Sequence, residues 1–284
     1  MQIRRIGVAL IAAGAMVAGL AACGGGGPTS VLQKAKDEKK LVIGVKYDQP
    51  GMGLKKPDGT VEGFDVDVAK YIAGKLGVPE SGIEFKEARS ANRESFLKQG
   101  QVDLVIATYS ITDARKPQVT FAGPYYLAHQ DSLIRTDDTS ITSLETLKGK
   151  KVCQVSGSNS WKNIAEGTNK MNQKVDVTLV PAGGYDECIQ KLKTNAVDVV
   201  TTDDTILAGF AKREGNSVKV AGAPFTDEKY GIGIKKGDIE SCNEINKIVA
   251  QMWSDGTAAK LLDKHFAGTG LKVETTAPQP AGCS

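Results

Sequence analysis

The chain has 284 residues, 40% hydrophobic and 24% charged, an ordinary globular balance that excludes a disordered tail, a collagen-like repeat and a polytopic membrane protein. The length suggests about two domains. With 36 basic and 33 acidic residues the formal charge is only +3, without basic runs, and two His and five scattered Cys complete the picture: neither nucleic acid nor a multi-ligand metal site is expected.

The N-terminus reads as a targeting segment. Arg4 and Arg5 precede an uncharged stretch, Ile6 to Leu20, too short for a spanning helix of about 20 residues. Leu20-Ala21-Ala22-Cys23 resembles a bacterial lipobox, which implies a lipoprotein signal peptide over 1–22, cleavage before Cys23 and a lipid on its sulfur. An ordinary signal peptide with an incidental Cys is the alternative. Loss of Arg4 and Arg5 would lower the formal charge of +3 by two. Gly24 to Gly27 and Pro28-Thr29-Ser30 make residues 23–30 a flexible tether.

Beyond the tether, short apolar runs alternate with helical patterns. Leu41 to Val45 reads as a buried strand. Phe64, Val68, Ile72 and Leu76 mark one face of a helix that ends at Gly77. A strand at Ile83–Phe85, a helix near Asn92–Gln99 and a strand at Val102–Ala107 follow. A second series comprises a strand at Val152–Val155, a helix after Ser158, a strand at Val175–Val180, a helix at Tyr185–Lys193 and a strand at Val197–Thr201. This alternation predicts an α/β fold with mostly parallel sheets. Export permits disulfides. With Cys23 set aside, Cys153, Cys188, Cys242 and Cys283 allow three connectivities. We expect Cys153–Cys188 and Cys242–Cys283, the second pinning a Pro-rich tail; free buried thiols are the alternative.

One internal echo stands out. Leu97-Lys98-Gln99-Gly100-Gln101-Val102-Asp103-Leu104-Val105 matches Leu192-Lys193-Thr194-Asn195-Ala196-Val197-Asp198-Val199-Val200. Gly100 and Asn195 suit the left-handed residue that ends a helix. Each copy reads helix, tight turn, buried strand. Ligands of open α/β sheets bind at the carboxyl ends of strands. Thr108 and Asp203, each five residues past the Asp of its copy, are expected in one cleft.

Three motifs then carry a family resemblance: Gly63-Phe64-Asp65-Val66-Asp67-Val68-Ala69, Ser110-Ile111-Thr112-Asp113-Ala114-Arg115 and Tyr230-Gly231-Ile232. In order and spacing they resemble the polar amino-acid-binding proteins of ABC importers, from about Leu41 to Phe266. The resemblance implies a two-lobed periplasmic-binding-protein-like (type II) fold with two hinge crossings, near Tyr125–His129 and Phe225–Tyr230. Lobe 1 is then 31–126 with 228–284, and lobe 2 is 127–227.

The resemblance also implies roles. Arg115 would pair the ligand's α-carboxylate bidentately, with Ser110 beside it at the start of a short helix. Asp203 would take the α-ammonium, leaving Asp204 to cap the helix starting near Thr205. Ser156 to Ser160, with Ser158 and Asn159, is similar to the lobe 2 loop that offers backbone N–H groups. Glutamine- and lysine-type relatives often place aromatics where this chain holds Gln49 and Ser90. Lys46 and Ser90-Ala91-Asn92-Arg93 are instead similar to the glutamate/aspartate-binding branch, where such residues grip the side-chain carboxylate. Arg115, Arg93 and Lys46 against Asp203 leave a net +2 for a ligand of −1. Lys46 as a solvated strand end and Arg93 in a helix-face salt bridge are the bland alternatives.

The function so implied is capture of L-glutamate or aspartate by a lipid-anchored, extracytoplasmic, monomeric binding protein that delivers it to an ABC permease. No bond is made or broken, and closure is a ligand-driven population shift. An amino-acid sensor signalling to a membrane receptor could use the same fold. A dehydratase, also known on it, needs a poised general acid, and none stands beyond the ligand-pairing set. No cofactor, metal or enzymatic activity is expected.

Overall fold

The structure, a computed structural model, describes residues 30–283. The signal segment, Cys23 and all but the last residue of the tether lie outside the described residues. The first part of the chain runs α1 (Val31–Glu38), β1 (Leu41–Val45), β2 (Asp48–Gln49), β3 (Gly53–Lys55), β4 (Val61–Glu62), α2 (Phe64–Lys75), β5 (Ile83–Glu87), α3 (Arg93–Lys98), β6 (Leu104–Val105) and β7 (Val119–Ala128). The middle comprises β8 (Gln130–Arg135), β9 (Lys151–Val155), α4 (Ser160–Ala165), β10 (Thr178–Ala182), α5 (Tyr185–Lys193), β11 (Val200–Asp203), α6 (Asp204–Glu214) and β12 (Val218–Val220). The chain returns through β13 (Glu228–Lys235) to α7 (Ile239–Ser254) and α8 (Thr257–Phe266).

These elements make two lobes. The first holds a five-stranded sheet in the order β5-β1-β6-β13-β7, with β2-β3-β4 as a small meander beside it. The second holds the pair β10-β9 and the triplet β11-β8-β12. Leu41, Ile43 and Val45, which share one face of β1, are fully buried, and on the other face Gly44 is buried and Val42 partly so. Helix α2 buries Phe64, Val68 and Ile72 beneath the sheet, and Leu76 follows its last residue.

The expected predominance of parallel pairing holds only in part. β1 is parallel to β5 and β6, and β9 to β10. β13 is antiparallel to β6 and β7, and β11 and β12 are antiparallel to β8. The reason is the crossing: β7 runs toward the second lobe and β13 comes back beside it, so they must oppose.

Two strand limits also move. Val175–Val180 was expected, but the ladder with β9 runs from Thr178 to Ala182. The Val175 N–H is bound instead to Ile164 O, and Asp176 O to the Gly149 N–H. Pro181 is tolerated because β10 is an edge strand. In the echo, Gly100 (φ 67°) and Asn195 (φ 60°) both take the left-handed conformation. The apolar runs after them are buried throughout, but regular pairing covers only Leu104–Val105 and Val200–Asp203.

Cys153 on β9 is joined to Cys188 on α5, 35 residues apart, and Cys242 on α7 to Cys283, 41 residues apart. The tail has further anchors. The Glu274 N–H donates to the Tyr126 hydroxyl at 3.1 Å and the Ala281 N–H to Gly123 O at 2.9 Å. At the other end, Val31 N–H donates to Asp238 Oδ2 at 2.9 Å and Leu32 N–H to Ser241 Oγ at 3.2 Å, so α1 is seated on the start of α7. No helix among the described residues is long and apolar enough to cross a membrane.

Candidate functional site

A narrow cleft lies between the lobes. Ser90, Arg93, Thr108, Ser110 and Arg115 line it from the first lobe, and Ser158, Asn159 and Asp203 from the second. Thr108 and Asp203, the residues five beyond each Asp of the echo, thus meet in one cleft. Lys46 stands one layer back, buried, with its Nζ donating to Ser90 Oγ at 2.7 Å.

The three sequence motifs converge here. Asp65, in the first turn of α2, is fully buried and accepts from Tyr125 Oη at 2.6 Å and from Thr108 N–H at 2.8 Å. That carboxylate holds Thr108 at φ 45°, a strained value for a β-branched residue. Ile111 N–H donates to Lys229 O and Gly231 N–H to Tyr109 O, which stitches the second motif to the third. Tyr230 then donates its hydroxyl to Asp203 Oδ2 at 2.6 Å.

The first-lobe wall is cationic. Arg115 Nη1 donates to Ser110 O at 2.8 Å, and its Nε lies 3.4 Å from Glu94 Oε1. Arg93 Nη1 donates to both Ala107 O and Thr108 O at 3.1 Å, and its Nε is buried without a partner. Both guanidiniums lie over the Tyr109 ring, at 4.2 Å for Arg93 and 5.0 Å for Arg115. Both also reach across to Gly157 O in the second lobe, at 3.3 and 3.2 Å. The second-lobe wall is hydroxyl-rich. Ser158, Ser160 and Thr202 surround the Tyr185 hydroxyl, which lies 2.8 Å from Ser158 Oγ.

Burial disfavours the charged forms on both walls. Desolvation, then the neighbouring Arg93, lowers the Lys46 ammonium to about 7. Desolvation and Arg115 lower Arg93 to about 10. Desolvation and Glu228 push Asp203 well above the usual carboxylate range. A ligand that brings an anion to one wall and an ammonium to the other reverses these shifts.

Two expected details differ. Residues 113–118 form turns, not a helix opening at Ser110. Pro117 has no N–H to continue the 4-residue bonding begun by Lys116 N–H to Thr112 O. Asp204 does not cap α6: Asp203 occupies the N-cap position, without a side-chain cap bond, and Asp204 is the first helical residue. Its carboxylate accepts from the His129 and Thr205 N–H groups, facing the crossing and away from the cleft lining. Sequence reasoning missed Tyr109, Ser160, Tyr185, Thr202 and the role of Asp65. Asp65 and Tyr109 lay within or beside motifs; Tyr185 carried no signal beyond opening a helix. Among the described residues no group of three or more His, Cys, Asp or Glu could hold a metal.

Residues 41–268 match the family of bacterial extracellular solute-binding proteins, family 3. The chain is 38% identical to glutamate-binding protein GluB of Corynebacterium glutamicum, covering 96% of this chain and 94% of that protein. It is likewise 38% identical to the ABC transporter glutamine-binding protein GlnH of Bacillus subtilis, over 86% and 91% of the two chains. Among solved structures, an ancestral arginine-binding protein bound to arginine superposes with a TM-score of 0.72 at 37% identity, over 81% of this chain and 99% of that one. The convergent motifs, the cleft between two lobes and these likenesses have one reading: the chain belongs to the family 3 extracellular solute-binding proteins, as an amino-acid-binding member.

Proposed function

We propose that this protein captures L-glutamate, or aspartate, by closing its lobes and delivers it to an ABC importer. The observation that carries the reading is the cationic excess of the cleft. Of the three buried cations on that wall, Arg115 has Glu94 beside it, whereas Arg93 and Lys46 make no ion pair among the described residues and the Arg93 Nε has no partner. Buried cations without a paired carboxylate call for a counter-ion. In this reading Arg115 and Ser110 take the α-carboxylate, with Ser158 and Asn159 closing over it. Asp203, held by Tyr230, takes the α-ammonium. Arg93, Ser90 and Thr108 face the distal carboxylate, with Lys46 supporting them from behind Ser90. The lobes are residues 31–126 with 228–284, and 127–227. The relatives named for glutamate and for glutamine make the neutral amide the competing ligand. Calorimetry of residues 24–284 against glutamate, aspartate, glutamine and asparagine tests the reading. Glutamate should bind some thirty- to a hundredfold tighter than glutamine, because leaving a buried charged donor poorly satisfied costs about 2–3 kcal/mol. Equal affinities would overturn the choice of ligand.

Lipid anchoring at Cys23 and an extracytoplasmic location complete the proposal, on the strength of Leu20-Ala21-Ala22-Cys23. Cys23→Ala should leave the precursor unprocessed and unlipidated. Retention of that variant with membranes after detergent partitioning would argue against the anchor.

A further inference from the structure

The lobes meet at three glycines, all in the second lobe. A Cβ on Gly157 would lie 2.5 Å from Ala91 N, one on Gly184 2.5 Å from Asp48 Oδ2, and one on Gly209 1.8 Å from Pro50 O. Every opposing atom belongs to the first lobe. Gly157 is part of the cleft loop and has φ 73°, so its backbone alone explains it. Gly184 and Gly209 are different. Gly184 is extended, at φ −164°, and Gly209 sits inside α6. Both conformations are open to any residue, and alanine is the better helix former at Gly209. What excludes a side chain at either position is the approach of the other lobe.

The Gly184 contact is also polar. Gly184 is the N-cap of α5 and has no side chain with which to accept from the first turn. Asp48 of the first lobe supplies the acceptor: its Oδ2 receives the Tyr185 N–H at 3.0 Å. The helix of one lobe is thus capped by a carboxylate of the other. Neither Asp48, Pro50, Gly184 nor Gly209 lines the ligand cleft.

We infer that Asp48 and Pro50, seated on Gly184 and Gly209, form a closure seam that sets ligand affinity without touching the ligand. They are positioning residues: the cap and the close backbone approach exist only with the lobes shut, so they weight the closed state and slow release. The inference rests on the proposed amino-acid capture by closure.

Calorimetry, stopped-flow release and small-angle scattering test it, with L-glutamate, L-glutamine and L-arginine as probes. Gly209→Ala should melt, ligand-free, no lower than wild type. It should bind the wild type's preferred amino acid at least about tenfold more weakly and fail to compact fully. Asp48→Ala, which alters only a side chain on the short strand β2 and stands in should Gly209→Ala fold poorly, should release that ligand severalfold faster with little change in association. Charge alone predicts the opposite sign for an anionic ligand, since Asp48 is a carboxylate near Lys46. Wild-type affinity and compaction in Gly209→Ala, or unchanged release in Asp48→Ala, would overturn the seam alone. A wild type that binds none of the three amino acids would overturn the capture reading, and the seam with it.

Discussion

The two walls of the cleft are built on different principles. The first lobe contributes Arg93 and Arg115, braced on Tyr109, with Lys46 behind them. The second contributes hydroxyls, from Ser158, Ser160, Thr202 and Tyr185, and one acid, Asp203. Charge acts over many ångströms, whereas a hydroxyl acts only within about 3 Å. If the ligand is the proposed anionic amino acid, the difference assigns an order to its capture: the first lobe would draw it while the cleft is open, and the second would act only once it arrives, by pairing the ammonium and shutting out water.

The strongest test of that division removes its anchor. Arg115→Ala should weaken amino-acid binding more than about a hundredfold, since removing one member of a buried ion pair costs roughly 3–5 kcal/mol. Asp203→Asn should be comparably harmful at equilibrium. It should act mainly on release, whereas loss of a first-lobe cation should also slow association at low salt. Asp204→Asn should be much milder, because that carboxylate serves the His129 and Thr205 N–H groups. An Asp204 variant that binds more weakly than the Asp203 variant would shift the ammonium contact by one residue.

A smaller effect concerns selectivity. Lys46→Met with Arg93→Gln should abolish the preference for glutamate over glutamine and keep some glutamine binding, because Arg115 and Asp203 still hold the zwitterion. Parallel titrations of wild type and double variant decide it. A preference that survives would move discrimination to the second lobe and break the comparison.

The smallest effect is in pH. The Lys46 ammonium is pushed down to about 7, by burial and then by Arg93. A carboxylate ligand favours its charged form, so binding above pH 7 takes up a proton at this group. The Lys46 contribution to glutamate affinity should therefore fall as pH rises from about 7, by at most tenfold per unit, against an opposite contribution from Asp203, whose raised carboxyl must ionise to meet the ammonium. The same shift has the opposite sign for folding. Between about 7 and the ordinary lysine value near 10.5, the unfolded chain holds the extra proton, so this group's contribution to stability rises with pH. Calorimetry in buffers of different ionisation enthalpy measures the net exchange, and Lys46→Met should shift it toward proton release relative to wild type.

Much of this was legible because it was local or repeated. The echo placed Thr108 and Asp203 at equivalent strand ends, and the Gly100 and Asn195 turns followed from helix-ending chemistry alone. Arg115 and Ser110 lay five residues apart in one motif. The helix at Ser110 failed because one missing N–H at Pro117 outweighed the pattern. The division between Asp203 and Asp204 needed the structure in part: the sequence separated a cleft role from a helix-end role, but which carboxylate meets Tyr230 and which meets His129 depends on the crossing strands. Tyr109 beneath two guanidiniums and Asp48 on a helix 137 residues away exist only as juxtapositions, and no periodicity announces them.

The seating of both chain ends has a mechanical consequence. Val31 and Leu32 are bonded to Asp238 and Ser241 at the start of α7, and Cys283 is joined to Cys242 one residue further along the same helix. A pull on either end thus reaches the start of α7 in the first lobe, while Glu274, bonded to the Tyr126 hydroxyl and 3.4 Å from His129 Nε2, ties the tail to one crossing as well. Whatever holds this protein by its ends, a lipid on one side or a sensor chip on the other, grips the cationic jaw and, through the tail, the strand on which the hydroxyl jaw turns.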